Sequence, residues 1–536
     1  MISRVRSSDQ ATTLVITLAT LTALGTLAAV SLMRVMPRQR MAYQNAAWEE
    51  ARLAAESGVD AAMGDLLRHL SNPGGGWEGW KQPSGAPAVA APGVPPQQNL
   101  LTSLTAPVIN LLTGLLGGGG SPSTSPGPVS ASPPIYLDNF KVSAATGVPT
   151  EIDIQLWALQ PNSSPHTQWF RIRSMATCAL PPAAYQAPAN LDAPLRRFSL
   201  RNVRDSLRRN DVGEPSSIRL PNVSRTVEVL VEPILPFELA VWTKDAMSLS
   251  YTGLWNVDSY DSSDSHKSGT GGVYPGKTSS KVQANGNIAS GRSRPPEDLY
   301  GPLIAANGTR VKGAVATNGG DDPNTSTNEN VSGAINLDPT RIRDDFNREM
   351  NQVPRPSGVA PLPPPANGYF AAGSQTAPKY YLVTGSLTTF HITPPLITQG
   401  VIVIMVDGDL DLTSPIIVPA NVTAVVYVRG NITFRDNVNS DPWSSKRPGQ
   451  LMIIGDVSST RQTLQVIGAT SVCAAFYGPS FDIVLDGDAD WCGSLSGYSF
   501  QVRGSGDGGV HYDESLSLVG PAVSYRIARY IEDVRE

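Results

Sequence analysis

The sequence predicts a mainly β protein: a long N-terminal transmembrane and stalk α-helix, then an antiparallel sheet region, then a C-terminal parallel β-helix (solenoid). Three observations predict this fold. Residues 11–33 are apolar and uncharged, apolar and polar residues alternate from Ile135 onward, and similar segments recur late in the chain with a period of about 20 residues. The 49 Gly and 45 Pro among 536 residues and the low charged fraction of 16% favour turns and strands over a charged coiled coil.

The charge balance excludes one class of partner. The formal net charge is −5, from 41 basic and 46 acidic side chains. Duplex nucleic acids are bound through clustered Lys and Arg, so no nucleic-acid partner is expected. Residues 196–209 are Arg-rich, and this cluster is interpreted as a solvated surface, with polyanion binding as the alternative. Three cysteines exclude both a disulfide scaffold and a four-cysteine zinc site.

Residues 1–10 are predicted to be a cytoplasmic N-terminus and residues 11–33 a transmembrane helix. At 1.5 Å per residue the apolar run reaches about 34 Å, enough to cross a hydrocarbon core of ~30 Å. A cleavable signal peptide is the alternative, although the run is longer than a usual signal core. Arginines flank the run on both sides, so charge alone does not give its orientation.

Residues 34–70 are predicted to continue as an amphipathic stalk helix. Apolar residues from Leu53 to Leu70 recur at spacings of three and four. Pro37 is expected to kink the helix at the membrane surface. The Gly, Pro, Ala and Ser composition of residues 71–134 predicts a flexible linker.

Residues 135–245 are predicted to form a β-sheet domain. Segments such as EIDIQLWAL and TVEVLVE alternate apolar and polar residues, as half-buried antiparallel strands do. Residues 246–399 are predicted to be a loop-rich region with the first solenoid rungs, because VKGAV recurs there as VSGAI. Within this region, Asp338 and Pro339 predict the start of a helix that Pro354 closes.

Residues 400–516 are predicted to form the β-helix. Its last two coils align at a shift of 19 residues, which places Phe481 opposite Phe500 and Cys473 opposite Cys492. Adjacent strands lie ~4.8 Å apart, close to the Cα separation that a disulfide needs. Cys473 and Cys492 are therefore predicted to be neighbours, either as a disulfide or as two buried thiols.

The C-terminal residues 517–536 are predicted to form a capping helix. Pro521 can open a helix, and apolar residues follow it at helical spacing. Such a cap would protect the open end of a solenoid.

Three stretches carry a resemblance to a known family. ARLAAESGVDAAMGDLL (residues 51–67) resembles the N-terminal helix of PilX-type minor pilins, which are single-span, type IV pilin-like proteins. WNVDSYDSSDSH (residues 255–266) and VHYDESL (residues 510–516) are similar to stretches of large pilin-like proteins.

The resemblance implies a membrane-anchored, pilin-like surface protein that is structural or adhesive and non-catalytic. Its implied partners are the lipid bilayer and other pilins or pilus assembly proteins, and its surface ligand is not given by the sequence. It implies a single-pass membrane protein with most of the chain in the periplasm or at the cell surface.

Three carboxylates in the WNVDSYDSSDSH stretch are candidate metal ligands. Asp258, Asp261 and Asp264 recur at every third residue among serines. Carboxylates packed this closely need solvent or a cation, and Ca²⁺ takes six to eight oxygen ligands. Two interpretations stay open: a calcium loop, and an exposed turn loop. No cofactor other than Ca²⁺ is predicted.

Motifs for catalysis are weak, and no catalytic residue is predicted. His511 and its acidic neighbours are consecutive, so their side chains would alternate between the faces of a strand, and the stretch is interpreted as a tail that locks onto the last coil. DGDLD (residues 407–411) and DGDAD (residues 486–490) resemble the opening of a calcium loop, but the second lacks the later Gly and Glu.

The alternative function is a membrane-anchored carbohydrate-active β-helix enzyme, a polysaccharide lyase or hydrolase. Such enzymes need a basic residue or paired carboxylates on one groove. The residues that could line such a groove are Arg429, Arg435, Asp436 and Arg461.

Overall fold

The structure is a computed structural model, and every structural statement below refers to the residues that it describes. These are residues 6–71, 80–81, 135–143, 149–159, 169–179, 222–249, 255–293, 304–305, 309–318, 331–332, 341–343, 346, 348–356, 359–374, 377–394, 399–440, 446–456 and 460–532. Most of the predicted linker and all of the Arg-rich stretch 196–209 lie outside the described residues.

The described part of the chain contains one long helix, α1 (Arg6–Ser71), and many strands. The strands are β1 (Ile135–Ser143), β2 (Pro149–Leu159), β3 (Trp169–Ala179), β4 (Asn222–Ile234), β5 (Val241–Thr243), β6 (Met247–Ser248), β7 (Trp255–Tyr260), β8 (Ile288–Ser293), β9 (Ile304–Ala305), β10 (Thr309–Val311), β11 (Val315–Asn318), β12 (Val331–Ser332), β13 (Ile342–Arg343), β14 (Tyr369–Ala371), β15 (Gly373–Ser374), β16 (Lys379–Val383), β17 (His391–Thr393), β18 (Gly400–Val406), β19 (Leu410–Leu412), β20 (Val422–Val428), β21 (Ile432–Phe434), β22 (Leu451–Gly455), β23 (Gln462–Val466), β24 (Ser471–Asp486), β25 (Asp490–Arg503), β26 (Gly509–Asp513) and β27 (Ser524–Glu532). Short 3-10 helices lie at Pro448–Gln450 and Glu514–Leu518. The prediction of a mainly β protein with an N-terminal apolar helix is confirmed.

The first half of α1 is apolar and has no protein neighbour among the described residues. Its segment Val15–Val35 is long and apolar enough to cross a membrane, and none of it is buried. Threonines within the segment are internally satisfied, since the Thr22 hydroxyl donates to the Leu18 carbonyl at 2.7 Å. The helix continues through Pro37 without a break.

The second half of α1 packs on an antiparallel sheet of five strands, in the order β1-β2-β3-β4-β27. Small and aliphatic residues form the buried face of the helix: Ala51, Ala54, Ala55, Val59, Ala62 and Leu66. Most of them contact alternate residues of the sheet, including Ile152, Ile172 and Val229. The period-two alternation therefore predicted the buried sheet face correctly.

The prediction of a C-terminal capping helix is wrong for the described residues. Ser524–Glu532 is β27, which pairs antiparallel with β4, with Ile527 opposite Val231. Without β27, β4 would present a row of unpaired backbone N–H and C=O groups, and pairing with Ser524–Glu532 satisfies them. The Tyr525 ring also packs edge-on against the Phe170 ring, with centroids 5.4 Å apart.

The helix predicted after Asp338 is likewise wrong where the chain is described. Ile342–Arg343 is β13, and Ile342 lies opposite Val315 of β11 in a parallel pair. The free edge of β11 takes this segment as another strand, and tertiary pairing overrides the helical spacing.

The larger sheet contains twenty strands, and nearly all of its pairs are parallel. Ile402 lies opposite Ala424, and Leu410 lies opposite Ile432, so β18–β20 and β19–β21 pair at the same shift of 22 residues. Side chains from successive strands fill one continuous apolar core. We call this set of strands the stack.

The chain joins the stack at its middle. One column of the stack runs β16-β18-β20-β22-β24-β25-β5-β8-β11. A second column, through the first residues of β24 and β25, runs β24-β25-β26-β7-β10. The last strand of the stack in sequence, β26, therefore lies beside β7, one of the first. Because β5 already belongs to the stack, the predicted domain boundary at residue 245 falls inside it.

A return segment (the described residues of 346–362) runs along the side of the stack. Arg348 Nη1 lies 2.6 Å from Glu238 Oε2 near β5. The Tyr477 hydroxyl of β24 donates to the Asn351 carbonyl at 2.7 Å. Arg355 then reaches Asp407 at 2.6 Å, beside β18. These contacts place the segment along the stack from β5, at its middle, to β18, near one end.

The predicted 19-residue alignment holds over only part of β24 and β25. Cys473 lies opposite Cys492 and Gly478 opposite Gly497, as predicted. Beyond a bulge between Gly478 and Asp482, the residue opposite Phe500 is Ile483 rather than Phe481. Extra residues in a bulge shift all later pairs, so the Phe481–Phe500 prediction is wrong.

Candidate functional site

The two stretches that resemble pilin-like proteins near the stack pair directly with each other. β7 carries the start of WNVDSYDSSDSH and β26 carries the start of VHYDESL. They are parallel neighbours, with His511 opposite Asp258 and Asp513 opposite Tyr260. About 250 residues of chain separate these partners. We call the resulting group of polar side chains the junction cluster.

His511 is the centre of the junction cluster. Its side chain is 1% exposed, with Nδ1 2.7 Å from Asp258 Oδ1 and Nε2 3.3 Å from Asp490 Oδ1. The Tyr274 ring stacks on the imidazole, with centroids 3.9 Å apart, and its hydroxyl donates to Asp258 Oδ2 at 3.0 Å. Lys277 Nζ lies 3.1 Å from Asp490. Two cations thus face two carboxylates.

The surroundings of His511 favour its charged form. Burial alone would lower the pKa of the imidazole, but the hydrogen bonds to Asp258 and Asp490 outweigh burial and raise the pKa to about 9. The imidazolium donates from both nitrogens. Burial would raise the pKa of Asp490, but the hydrogen bond from His511 holds it below its ordinary value. No ring nitrogen is left to exchange a proton with a substrate.

A second group of hydrogen bonds fastens the residues that follow β26. Asp513 Oδ1 accepts from the backbone N–H groups of Ser262 at 2.9 Å and Ser515 at 3.2 Å. Glu514 Oε1 accepts from the Ser259 hydroxyl at 2.8 Å. Burial outweighs these donors at Asp513 and raises its pKa to about 6. The acidic residues of VHYDESL therefore bind the serines of WNVDSYDSSDSH.

The structure does not bring the three candidate calcium ligands together. Asp258 is occupied by His511 and Tyr274. Asp261 Oδ1 accepts from the Ser263 N–H at 2.9 Å, and Asp264 Oδ1 accepts from the His266 N–H at 2.8 Å. Among the described residues, no group of three or more His, Cys, Asp or Glu is placed to hold a metal ion. The contacts of Asp261 and Asp264 are those of Asx turns, so the geometry favours the turn-loop interpretation.

The charged residues considered for a carbohydrate-binding groove are each engaged locally. Arg429 Nη2 lies 3.2 Å from Asp456, and Arg435 Nε lies 2.9 Å from Asp411. The Arg461 guanidinium lies over the Tyr498 ring, 3.7 Å from its centroid. Asp436 Oδ1 accepts from the next backbone N–H. The structure does not gather these residues into one constellation.

Cys473 and Cys492 are neighbours, as predicted, and both are thiols in the structure. Their column continues through His511 and Asp258 on the following strands. A hydrogen bond with Cys473 and burial raise the pKa of the Cys492 thiol well above its ordinary value.

In the helix stretch ARLAAESGVDAAMGDLL, α1 packs tightly against the sheet at Gly58. A Cβ atom on Gly58 would overlap the Ser174 hydroxyl and the Ile152 side chain. Two residues earlier, Glu56 Oε1 accepts from the Tyr530 hydroxyl at 2.8 Å. The Glu and Gly of this stretch therefore position α1 on β2, β3 and β27.

Sequence reasoning missed the parts that Tyr274, Lys277 and Asp490 play in the junction cluster. Tyr274 and Lys277 lie in an aperiodic Gly- and Ser-rich loop, where no pattern marks a contact. Asp490 belongs to DGDAD, which was considered above only as the opening of a calcium loop. Asp490 and His511 are 21 residues apart, close to the repeat length of about 20. This spacing could have indicated that the two residues lie on neighbouring turns of the stack.

Comparisons with known proteins give limited matches. A family model described as a domain of unknown function, DUF7305, matches residues 371–519, which include most of the stack and His511. No curated protein matches the chain. Among solved structures the chain is similar to the competence-associated pilin ComZ from Thermus thermophilus, with 11% identity and a TM-score of 0.24, over 91% of this chain and 98% of that chain. A TM-score at this level establishes no common fold, so the proposals below rest on the chain's own residues.

Proposed function

We propose that the chain is a membrane-anchored, pilin-like surface protein whose β-helical stack acts as a structural or adhesive head. The observation that carries the proposal is the division of α1. Its first half is apolar and exposed, and its second half is buried on an antiparallel sheet. The sequence resemblance of residues 51–67 to minor pilins supports the same function.

The exposed half of α1 needs an apolar environment. The large apolar side chains of Val15–Val35 are between 47% and 68% exposed. Leaving so much apolar surface in water is unfavourable by roughly 25 cal/mol per Å². A bilayer, or the apolar helices of neighbouring pilins, would cover it, and we propose both as partners.

The head is proposed to act through its surface rather than through catalysis. On β19, β21 and β23 the outward residues Asp411, Thr433 and Gln465 form a column of directly opposed side chains. Parallel pairing spaces such groups ~4.8 Å apart. A regular column of hydrogen-bonding groups suits recognition of an extended ligand.

Alkaline extraction of membranes tests the anchor. The full chain should stay in the membrane pellet after a carbonate wash. The double variant Leu24→Arg, Leu27→Arg should be largely extracted, because a central Arg costs roughly 2.5–3.5 kcal/mol on insertion. Leu53→Arg is the matched control, since Leu53 is exposed on the second half of α1. Extraction of the unaltered chain, or equal extraction of all three proteins, would contradict the anchor.

The pilin role has a separate test. After mild detergent solubilisation and crosslinking, tagged full chain should recover pilins or pilus assembly proteins. The Leu24→Arg, Leu27→Arg variant should not. Recovery of the tagged chain alone from cells that assemble pili would remove the filament role and leave the anchor.

A further inference from the structure

Cys473 and Cys492 lie where they can react with each other, and this chemistry is independent of the proposed function. Cys473 on β24 and Cys492 on β25 are directly opposed in a parallel pair. Paired strands lie ~4.8 Å apart, which is inside the range of roughly 4.4–6.8 Å between the Cα atoms of a disulfide. The backbone already has the separation of a crosslinked pair.

The side chains of the pair also face the same way. Val472 and Trp491, one residue earlier on each strand, are fully buried in the core of the stack. Alternation along a strand turns Cys473 and Cys492 to the other face. The two cysteines are therefore on the same face and directly opposed, so no change of register is needed to bring their side chains together.

Other parts of the chain cover this face. The Asn439 amide donates to the Cys473 carbonyl at 3.0 Å. Pro448 lies against Gly493, the residue after the second cysteine. As a result, Cys473 and Cys492 are only 5% and 7% exposed.

The remaining cysteine provides an internal comparison. Cys178 is also buried, but it lies on β3 in a separate cluster with Ala47, Ala51 and Val223, where the helix meets the sheet. Its neighbours include no second cysteine among the described residues. A reaction that needs two adjacent thiols can therefore be distinguished from general oxidation of buried cysteines.

We propose that Cys473 and Cys492 form an intramolecular disulfide that crosslinks two successive turns of the stack, with a low-molecular-weight or protein disulfide as the oxidant. One cysteine thiolate attacks a sulfur of the donor and releases the first donor thiolate. The second cysteine thiolate attacks the mixed disulfide and releases the second. The two cysteines lose two electrons and two protons, and the donor leaves as two thiols.

Burial sets the order of events. Only the thiolate is the nucleophile, and the folded environment raises the pKa of Cys492, so exchange in the closed stack is slow. The crosslink therefore forms when the stack is partly opened. In the closed stack, the burial of Cys473 and Cys492 protects the disulfide from reductants.

Oxidised glutathione tests the proposal on the purified full chain. The chain in detergent is reduced, desalted, exposed to oxidised glutathione at a series of urea concentrations below global unfolding, and trapped with an alkylating agent. Peptide mapping should find one crosslink, Cys473–Cys492, with a mass about 2 Da lower than that of the two thiol peptides. Cys178 should carry the alkyl group. Crosslinking should accelerate with urea.

Single variants and stability complete the test. Cys473→Ser should abolish the crosslink and leave Cys492 either alkylated or joined to glutathione, and Cys178→Ser should leave the crosslink unchanged. Oxidation should raise the melting temperature of the unaltered chain and not that of Cys473→Ser. Three alkylated thiols at every urea concentration, glutathione adducts without a crosslink, or a crosslink to Cys178 would overturn the proposal. None of these readouts depends on the membrane or on pilins.

Discussion

His511 is held as a cation inside the stack by two carboxylates from different turns of the chain. Asp258 lies on β7 and Asp490 on β25, and each accepts from one ring nitrogen. Lys277 balances the second carboxylate, and Tyr274 covers the ring. In sequence, β26 is the last strand of the stack and β7 is one of the first. His511 therefore joins two strands that are far apart in the sequence and adjacent in the stack.

The charged state of His511 predicts a pH dependence of stability. Its pKa is about 9 in the folded protein and 6.5 in an unperturbed histidine, so the folded state binds the proton more tightly. The resulting stabilisation, roughly 3 kcal/mol at most, is fully present below pH 6.5 and is lost as the pH rises through 9. Urea unfolding at pH 6, 7.5 and 9 should give a falling free energy of unfolding.

The control for this prediction is His511→Gln, which keeps a polar side chain without the charge. Its free energy of unfolding should be lower at pH 6 and should lose most of the slope between pH 6.5 and 9. Asp513, with a pKa of about 6, is largely ionised throughout that window and adds little slope. Identical slopes for the two proteins would show that His511 is not charged in the folded state.

At the residue scale, the repeat period of the sequence predicted which residues pair between strands wherever the period is regular. The 19-residue shift placed Cys473 beside Cys492 correctly, because Cys473 precedes the bulge between Gly478 and Asp482 of β24. It failed at Phe481, because Gly478-Pro479 is a bulge signal that a fixed 19-residue alignment does not take into account. Asp258, one of the two partners of His511, was also beyond prediction, since its strand has no sequence repeat in common with β26.

At the scale of elements, the packing of α1 on the sheet depends on a glycine, Gly58. Gly58 faces Ser174 and Ile152 of the sheet, and any Cβ there must displace one of them. Gly58→Leu should therefore separate helix and sheet and lower the free energy of unfolding by about 1–3 kcal/mol. Thermal unfolding of the detergent-solubilised chain measures the change.

Gly64 is the matched control on the same helix. A Cβ at Gly64 meets no atom within 4 Å, so Gly64→Ala should stabilise the chain by up to ~1 kcal/mol through helix propensity. If Gly58→Leu were as stable as Gly64→Ala, the packing of α1 on the sheet would be wrong.

The return segment is fastened to the stack by Arg355. Its guanidinium lies 2.6 Å from Asp407 and 2.7 Å from Asp456, whose side chain is 5% exposed. Arg355→Met should destabilise the chain by roughly 3 kcal/mol, because it leaves a buried carboxylate with less compensation. Arg435→Met removes a largely exposed ion pair with Asp411 and should cost at most ~1 kcal/mol. If chemical denaturation showed the same loss in free energy of unfolding for Arg355→Met and Arg435→Met, the argument from burial would be contradicted.

Helices and strands were predicted well where the residues fit only one periodicity. They were predicted poorly where the same residues fit both a helix and a strand. The segments EIDIQLWAL and TVEVLVE alternate strictly and are strands. The residues after Pro521 fit both a helix and a strand, and the open edge of β4 decides for β27. The same competition decides for β13, where Ile342 completes a pair with β11.

At the scale of the whole molecule, the stack is an insertion between two neighbouring strands of the smaller sheet. The chain leaves that sheet after β4 and returns to it at β27, where Ser524 lies opposite Ile234. The sequence predicted a helix-anchored sheet and a repeat region in succession. It could not predict the insertion, because the pairing of β27 with β4 joins segments about 290 residues apart.

Excision of the stack tests this arrangement most directly. Replacing residues 236–522 by a short Gly/Ser turn joins two strands that are already paired, so α1 and the five-stranded sheet should fold alone, with one cooperative thermal transition and the circular dichroism of helix and sheet. Removal of residues 524–536 from the same variant should abolish or strongly weaken that transition. An excised protein that is unfolded while the full chain is folded would contradict the account.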